Sequence, residues 1–240
     1  MAKLLKKIFI IVSIFIFAGC SPKILVPDIS NLPSAGNLSK YPFGQLSTNV
    51  DHFSALFKVK SEVVSEIRYA VHFLAPNNLR IELFPLNSFY QLGLFVVSDG
   101  KFNFRSVNDS NVYAGDFSRA VMLDKLGLSF EVNQLVSALT RTIPVDSLEG
   151  ELFTSKNNTL IYYANNAQFI GEYEPITNRP IAFYYLNDSV PIAKVTYLNN
   201  ISECAMNIQV PEVTDEFNVD CLSFKTSIPP SKNLFSISLP

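Results

Sequence analysis

From Val50 to the C-terminus, short runs of β-branched, aromatic and aliphatic residues are cut at close intervals by Asn, Asp, Gly and Pro. This rhythm restricts the fold more than any other feature of the chain. Phe53–Lys60 and Val64–Leu74 read as strands, Pro76-Asn77-Asn78 breaks the chain, and Leu79, Ile81 and Leu83 then alternate with Arg80 and Glu82. Leu92–Ser98, an Asp99-Gly100 turn and Lys101–Ser106 form a hairpin pattern. The rhythm continues through Glu151–Thr154, Leu160–Ala164, Gln168–Glu174, Ile181–Leu186, Ile192–Leu198, Ala205–Val210, Phe217–Phe224 and Leu234–Leu239. Roughly ten to thirteen strands follow from these signals. A sheet that wide must curl or close. The expected fold is therefore mainly β, a strongly curved antiparallel sheet or incomplete barrel, covered by one or two helices.

The helical interruption lies between the two sets of strands. Phe117, Ala120 and Val121 share one face of a short turn, and Val132, Leu135, Val136 and Leu139 recur at helical spacing. Pro144 marks the point by which that helix has stopped. Glu131, Asn133, Gln134 and Ser137 are expected on its water-facing side, leaving the apolar stripe to lid the sheet.

The N-terminus carries a different kind of information. Lys3, Lys6 and Lys7 precede an apolar run from Ile8 to Phe17, followed by Ala18-Gly19-Cys20. Ten apolar residues span only about 15 Å as a helix, half of a hydrocarbon core of about 30 Å, so a membrane-crossing helix is the poorer reading. The small-small-Cys ending resembles a bacterial lipobox, with Phe17 where that pattern prefers Leu. The resemblance implies cleavage after residue 19 and lipid on Cys20. Residues 20–47 contain Pro22, Pro27, Pro33 and Pro42 without a steady period and read as an anchor and extended tether, able to reach on the order of 90 Å. Residues 48–240 form the folded domain.

Removing residues 1–19 takes away three lysines and no acids, moving the formal net charge from −2 to about −5. Nucleic acid is not an expected partner, because phosphates require clustered Lys and Arg. With 20 Phe and 10 Tyr but 17% charged residues, the chain has apolar surface to spare, for a large core or a greasy cavity. The two histidines, His52 and His72, lie in no nucleophile, metal or phosphate motif. Neither enzymatic activity, a metal site nor a cofactor is expected. Cys204 and Cys221 flank a polar break at Pro211–Glu216, consistent with a disulfide across a hairpin or with two buried thiols.

Phe84, Leu86, Phe89 and Tyr90 cluster around Pro85 between two strands. Such a loop either folds back on the core or touches lipid. Arg80 has two readings: a latch that enters the cavity and grips carbonyls of the lid helix, or a solvated strand-face arginine.

The order of these features resembles the LolA and LolB group of lipoprotein carriers, closest to LolB-like outer-membrane lipoproteins. The matching pieces are the Cys anchor, the proline-rich tether, Ala75-Pro76, Leu79-Arg80-Ile81-Glu82-Leu83, Phe84-Pro85-Leu86, Val97-Ser98-Asp99-Gly100-Lys101, Tyr113-Ala114-Gly115, Leu126-Gly127-Leu128 and Ile143-Pro144. Residues 146–240 agree in strand rhythm alone. The resemblance implies a half-barrel whose apolar interior binds acyl chains of lipoproteins or other lipids, supplied by a LolA-like periplasmic carrier. It further implies that Leu86, in a protruding loop, helps insert cargo, although Asn87 stands where the group has Gly. Ser21 rather than Asp after Cys20 points, in that class, to the outer membrane facing the periplasm. A lipid- or glycolipid-binding or structural envelope lipoprotein without lipoprotein cargo is the alternative.

Overall fold

A computed structural model of the chain describes residues 23–37, 50–61, 66–107, 111–198, 204–213 and 216–236. Cys20, the signal-like segment and residues 38–47 of the expected tether lie outside them. The described residues form one open antiparallel sheet of fourteen strands and two α-helices. Strand β1 is Ser34–Asn37, and the first meander runs through β2 His52–Lys60, β3 Ile67–Leu74, β4 Asn78–Pro85, β5 Gly93–Ser98, β6 Lys101–Ser106 and β7 Val112–Asp116. The helices α1, Arg119–Leu126, and α2, Val132–Thr140, follow. The second meander comprises β8 Gly150–Thr154, β9 Leu160–Ala164, β10 Phe169–Tyr173, β11 Pro180–Asn187, β12 Val190–Tyr197, β13 Met206–Gln209 and β14 Glu216–Lys225.

Strand β14 pairs with β2 and joins the two meanders, so the spatial order is β1-β8-β9-β10-β11-β12-β13-β14-β2-β3-β4-β5-β6-β7. Alternation explains the layering: Phe53, Ala55 and Phe57 of β2 and Phe183 and Tyr185 of β11 turn to the same face. There they join α1 and α2 in one apolar cluster. Helix α2 starts with a capping box, Glu131 with Gln134, and ends where Arg141 adopts a left-handed φ of 61°. The Asp99-Gly100 turn has both residues left-handed, as a two-residue hairpin requires.

Three expectations are corrected here. Residues 23–37 are not a free tether: Ile24, Val26, Ile29 and Leu32 pack on the sheet face opposite the helices, and β1 pairs with β8. The polar flank of α2 is divided: Glu131 is exposed and Asn133 half-buried, as expected, but Gln134 is 8% and Ser137 1% exposed. Ser137 finds its partners inside, its hydroxyl donating to the Thr142 carbonyl and meeting the Tyr185 hydroxyl at 3.0 Å. Of the last expected strand, Leu234 and Phe235 belong instead to a 3-10 turn at Lys232–Phe235, which Ser231 caps by accepting from the Asn233 amide after Pro229-Pro230, and residues 237–239 lie outside the described residues.

Candidate functional site

The sheet and the helices meet around a narrow apolar slot. Its floor is Phe57, Val59, Tyr69, Val71 and Ile81 from β2–β4, with Ile208, Phe217 and Val219 from β13 and β14. Its roof is Leu126 and Leu128 at the end of α1, and Leu135 and Leu139 on α2. Every lining residue is aliphatic or aromatic, and burial pushes the Tyr69 hydroxyl up to about 12. Val59, Tyr69 and Leu128 are only half-buried, which places the mouth toward the β2–β3 turn. Gly127 shapes this rim: its φ is +71°, and a Cβ there would lie 3.2 Å from the Phe217 ring.

The slot offers about 40 Å³, room for about three water-sized groups at about 10–15 Å³ each. A sixteen-carbon chain, at roughly one such group per carbon, needs about 160–240 Å³ on the same measure. Of the two uses that composition left open, a large core or a greasy cavity, the aromatic side chains in the other half of the interior supply the large core. Phe169, Tyr173, Phe183, Tyr185 and Tyr197 pack in edge-to-face and tilted pairs with centroid spacings of 4.9 to 5.7 Å.

Helix α2 is bonded to that aromatic half and only packed against the slot. The Tyr197 hydroxyl donates to the Ala138 carbonyl at 3.0 Å, and the Tyr185 hydroxyl meets Ser137 Oγ at 3.0 Å. Burial raises both tyrosines well above their ordinary ionisation range, so they stay neutral donors. The Arg141 guanidinium lies 4.8 Å over the Tyr197 ring. On another flank of α2, a second cavity of about 350 Å³ is lined by Asp51, Phe73, Asn77, Asn133, Val136, Ser137 and Thr142 among others. Of the four expected lid residues, Leu135 and Leu139 therefore roof the slot, Val136 lines the second cavity, and Val132 is buried in the core.

Phe84, Leu86, Phe89 and Tyr90 stand at the slot's mouth end, because the register pairs Tyr69 with Leu83 and Ile67 with Pro85. Phe84 and Leu86 are half-buried, whereas Phe89 is 91% and Tyr90 61% exposed. Arg68 holds this loop: its Nε donates to the Pro85 carbonyl at 3.2 Å, another nitrogen donates to the Ser88 carbonyl, and its guanidinium lies 5.2 Å from the Phe89 ring centroid. Sequence reasoning missed Arg68, which lies within β3 opposite Phe84, a pairing set by the β3–β4 register.

Arg80 is not a cavity latch. It sits on the face opposite Leu79 and Ile81, binding Glu82 Oε1 at 2.7 Å and the Leu234 carbonyl at 2.8 Å. Cys204 and Cys221 are joined as a disulfide. Among the described residues, no three His, Cys, Asp or Glu side chains converge as a metal site would require.

No protein-family model and no curated protein matches the sequence. Among solved structures, the chain is similar to a LolA superfamily protein from Nitrosomonas europaea, with a TM-score of 0.51 at 10% identity over 80% of this chain and 93% of that one. It is also similar to a DUF1329 family protein from Desulfovibrio piger, with a TM-score of 0.51 at 12% identity over 81% and 92% of the two chains. At these identities the likeness is one of fold.

Proposed function

We propose that the chain is a lipoprotein, anchored through Cys20 in the outer membrane and facing the periplasm, that shelters the acyl chains of other lipoproteins during their localisation. The observation that carries this reading is the wholly apolar slot between α1, α2 and strands β2–β4, β13 and β14. The fold likeness to a LolA superfamily protein supports it. We read this wide sheet, with both helices on the face of its larger core, as a half-barrel with the helices across its open side.

Binding here is transfer of hydrocarbon out of water. A chain of fourteen to eighteen carbons gains roughly 11 to 14 kcal/mol at about 0.8 kcal/mol per methylene. That gain is set against the cost of widening the slot. Helix α2 has room to yield, since the second cavity lies against its Asn133, Val136 and Ser137 side. The loop carrying Phe89 and Tyr90 then meets the bilayer at the mouth, Tyr90 with its hydroxyl at headgroup level. A LolA-like periplasmic carrier supplies the cargo.

Native mass spectrometry of protein purified from its own envelope tests this. Co-purifying acylated polypeptide supports the lipoprotein reading. Phospholipid or glycolipid alone assigns the slot to a lipid carrier of the same fold, and no bound acyl group of any kind overturns acyl binding.

A further inference from the structure

The segment before β1 changes what the lipid anchor does. Lys23, Ile24, Leu25 and Val26 alternate: Ile24 is 6% exposed, Leu25 is 75% exposed, and Lys23 is exposed beside it. Ile24 and Val26 join Ile29 and Leu32 on the outer face of β9–β11, against Ile161, Ile170, Tyr184 and Leu186. This is the face opposite the helices, because Phe169, Tyr173, Phe183 and Tyr185 of the same strands point into the main core. The strap is closed at its other end, where the Thr154 amide donates to the Pro33 carbonyl at 3.1 Å and β1 pairs with β8.

Cys20 precedes Ile24 by four residues, a covalent reach of at most about 14 Å. We infer that the strap is a short leash. It keeps the outer face of β9–β11, with Lys23 and Leu25 at headgroup level, nearer the phospholipid surface than α1 on the other face. This rests on the lipidation of Cys20 proposed above, but not on any cargo. The charge and the outward side chain fit such a surface: Lys23 meets anionic headgroups and Leu25 meets the acyl boundary.

The test uses full-length lipidated protein in vesicles of phosphatidylethanolamine and phosphatidylglycerol that carry a headgroup quencher. A fluorophore is placed at Leu25→Cys or, on the helix side, at Asp124→Cys, a position exposed on α1. Quenching several-fold stronger at residue 25 than at 124 is expected, and a flexible Gly-Ser insertion of about ten residues between Pro22 and Lys23 should abolish the difference. Equal quenching at the two sites, or no effect of the insertion, in protein whose mass shows lipid on Cys20 overturns the leash alone. A mass showing unmodified Cys20 overturns the leash and the anchoring reading together, while leaving acyl binding in the slot to its own test.

Discussion

The hydroxyl of Tyr197 donates to the carbonyl of Ala138 at 3.0 Å, fixing the middle of α2 to strand β12. With the Tyr185–Ser137 contact, it gives α2 a bonded side and, at Leu135 and Leu139, a side held by apolar packing. Tyr197→Phe removes one buried hydrogen bond with little change of shape and should cost about 1 kcal/mol in chemical denaturation. The same change should speed amide exchange in α2 more than in β10 or β11. Equal exchange across these elements would show that this bond does not control the helix.

Phe89 and Tyr90 are exposed on a loop held by Arg68. Replacing both with Ser should leave the denaturation midpoint within about 0.5 kcal/mol of wild type, since neither is in the core. Binding of a Cys20→Ala form to phospholipid vesicles should fall several-fold in flotation assays. Unchanged flotation would remove this loop from the membrane contact.

Burial, aided by Arg80 opposite it, lowers the pKa of His72, while Glu82 acts the other way; Nδ1 lies 2.9 Å from Ser54 Oγ. A folded-state pKa below the unfolded value means that the unfolded chain binds the proton first as pH falls. The contribution of His72 should therefore be constant above its unfolded pKa of about 6.5 and be lost as pH drops through that value toward the folded one. Urea midpoints of wild type and His72→Gln measured from pH 7.5 to 5 should converge or cross accordingly, with wild type losing more.

Gly150 lies under the Tyr162 ring, whose hydroxyl donates to the Ser147 carbonyl at 2.7 Å. A Cβ at this position would come within 2.3 Å of the Tyr163 carbonyl oxygen. Gly150→Ala should destabilise by about 1–3 kcal/mol, read as a lower denaturation midpoint. A neutral result would mean that β8 and β9 can separate without cost.

Much of this arrangement was legible because side-chain alternation is local. Lys101–Ser106 and Leu160–Ala164 coincide with β6 and β9, and the Val132–Leu139 stripe with α2. Alternation also put Arg80 opposite Leu79 and Ile81, which is why it faces Leu234 rather than the slot. What escaped depends on distant partners. Strand β1 lies in a proline-rich stretch and gains its identity only from β8, and Ser137 is polar in sequence but buried by Tyr185. The slot is assembled from β2–β4, β13, β14 and both helices, partners far apart in the chain, which no local pattern encodes.

Uptake of a sixteen-carbon fluorescent fatty acid by lipid-stripped protein tests the central claim most directly, with Leu128→Trp as the comparison because residue 128 is half-buried on the slot's roof. The wild type should bind saturably, one chain per protein, and the variant should bind about tenfold or more weakly while keeping its circular dichroism. No saturable uptake by wild type, or uptake that ignores a folded Leu128→Trp variant, would contradict the account.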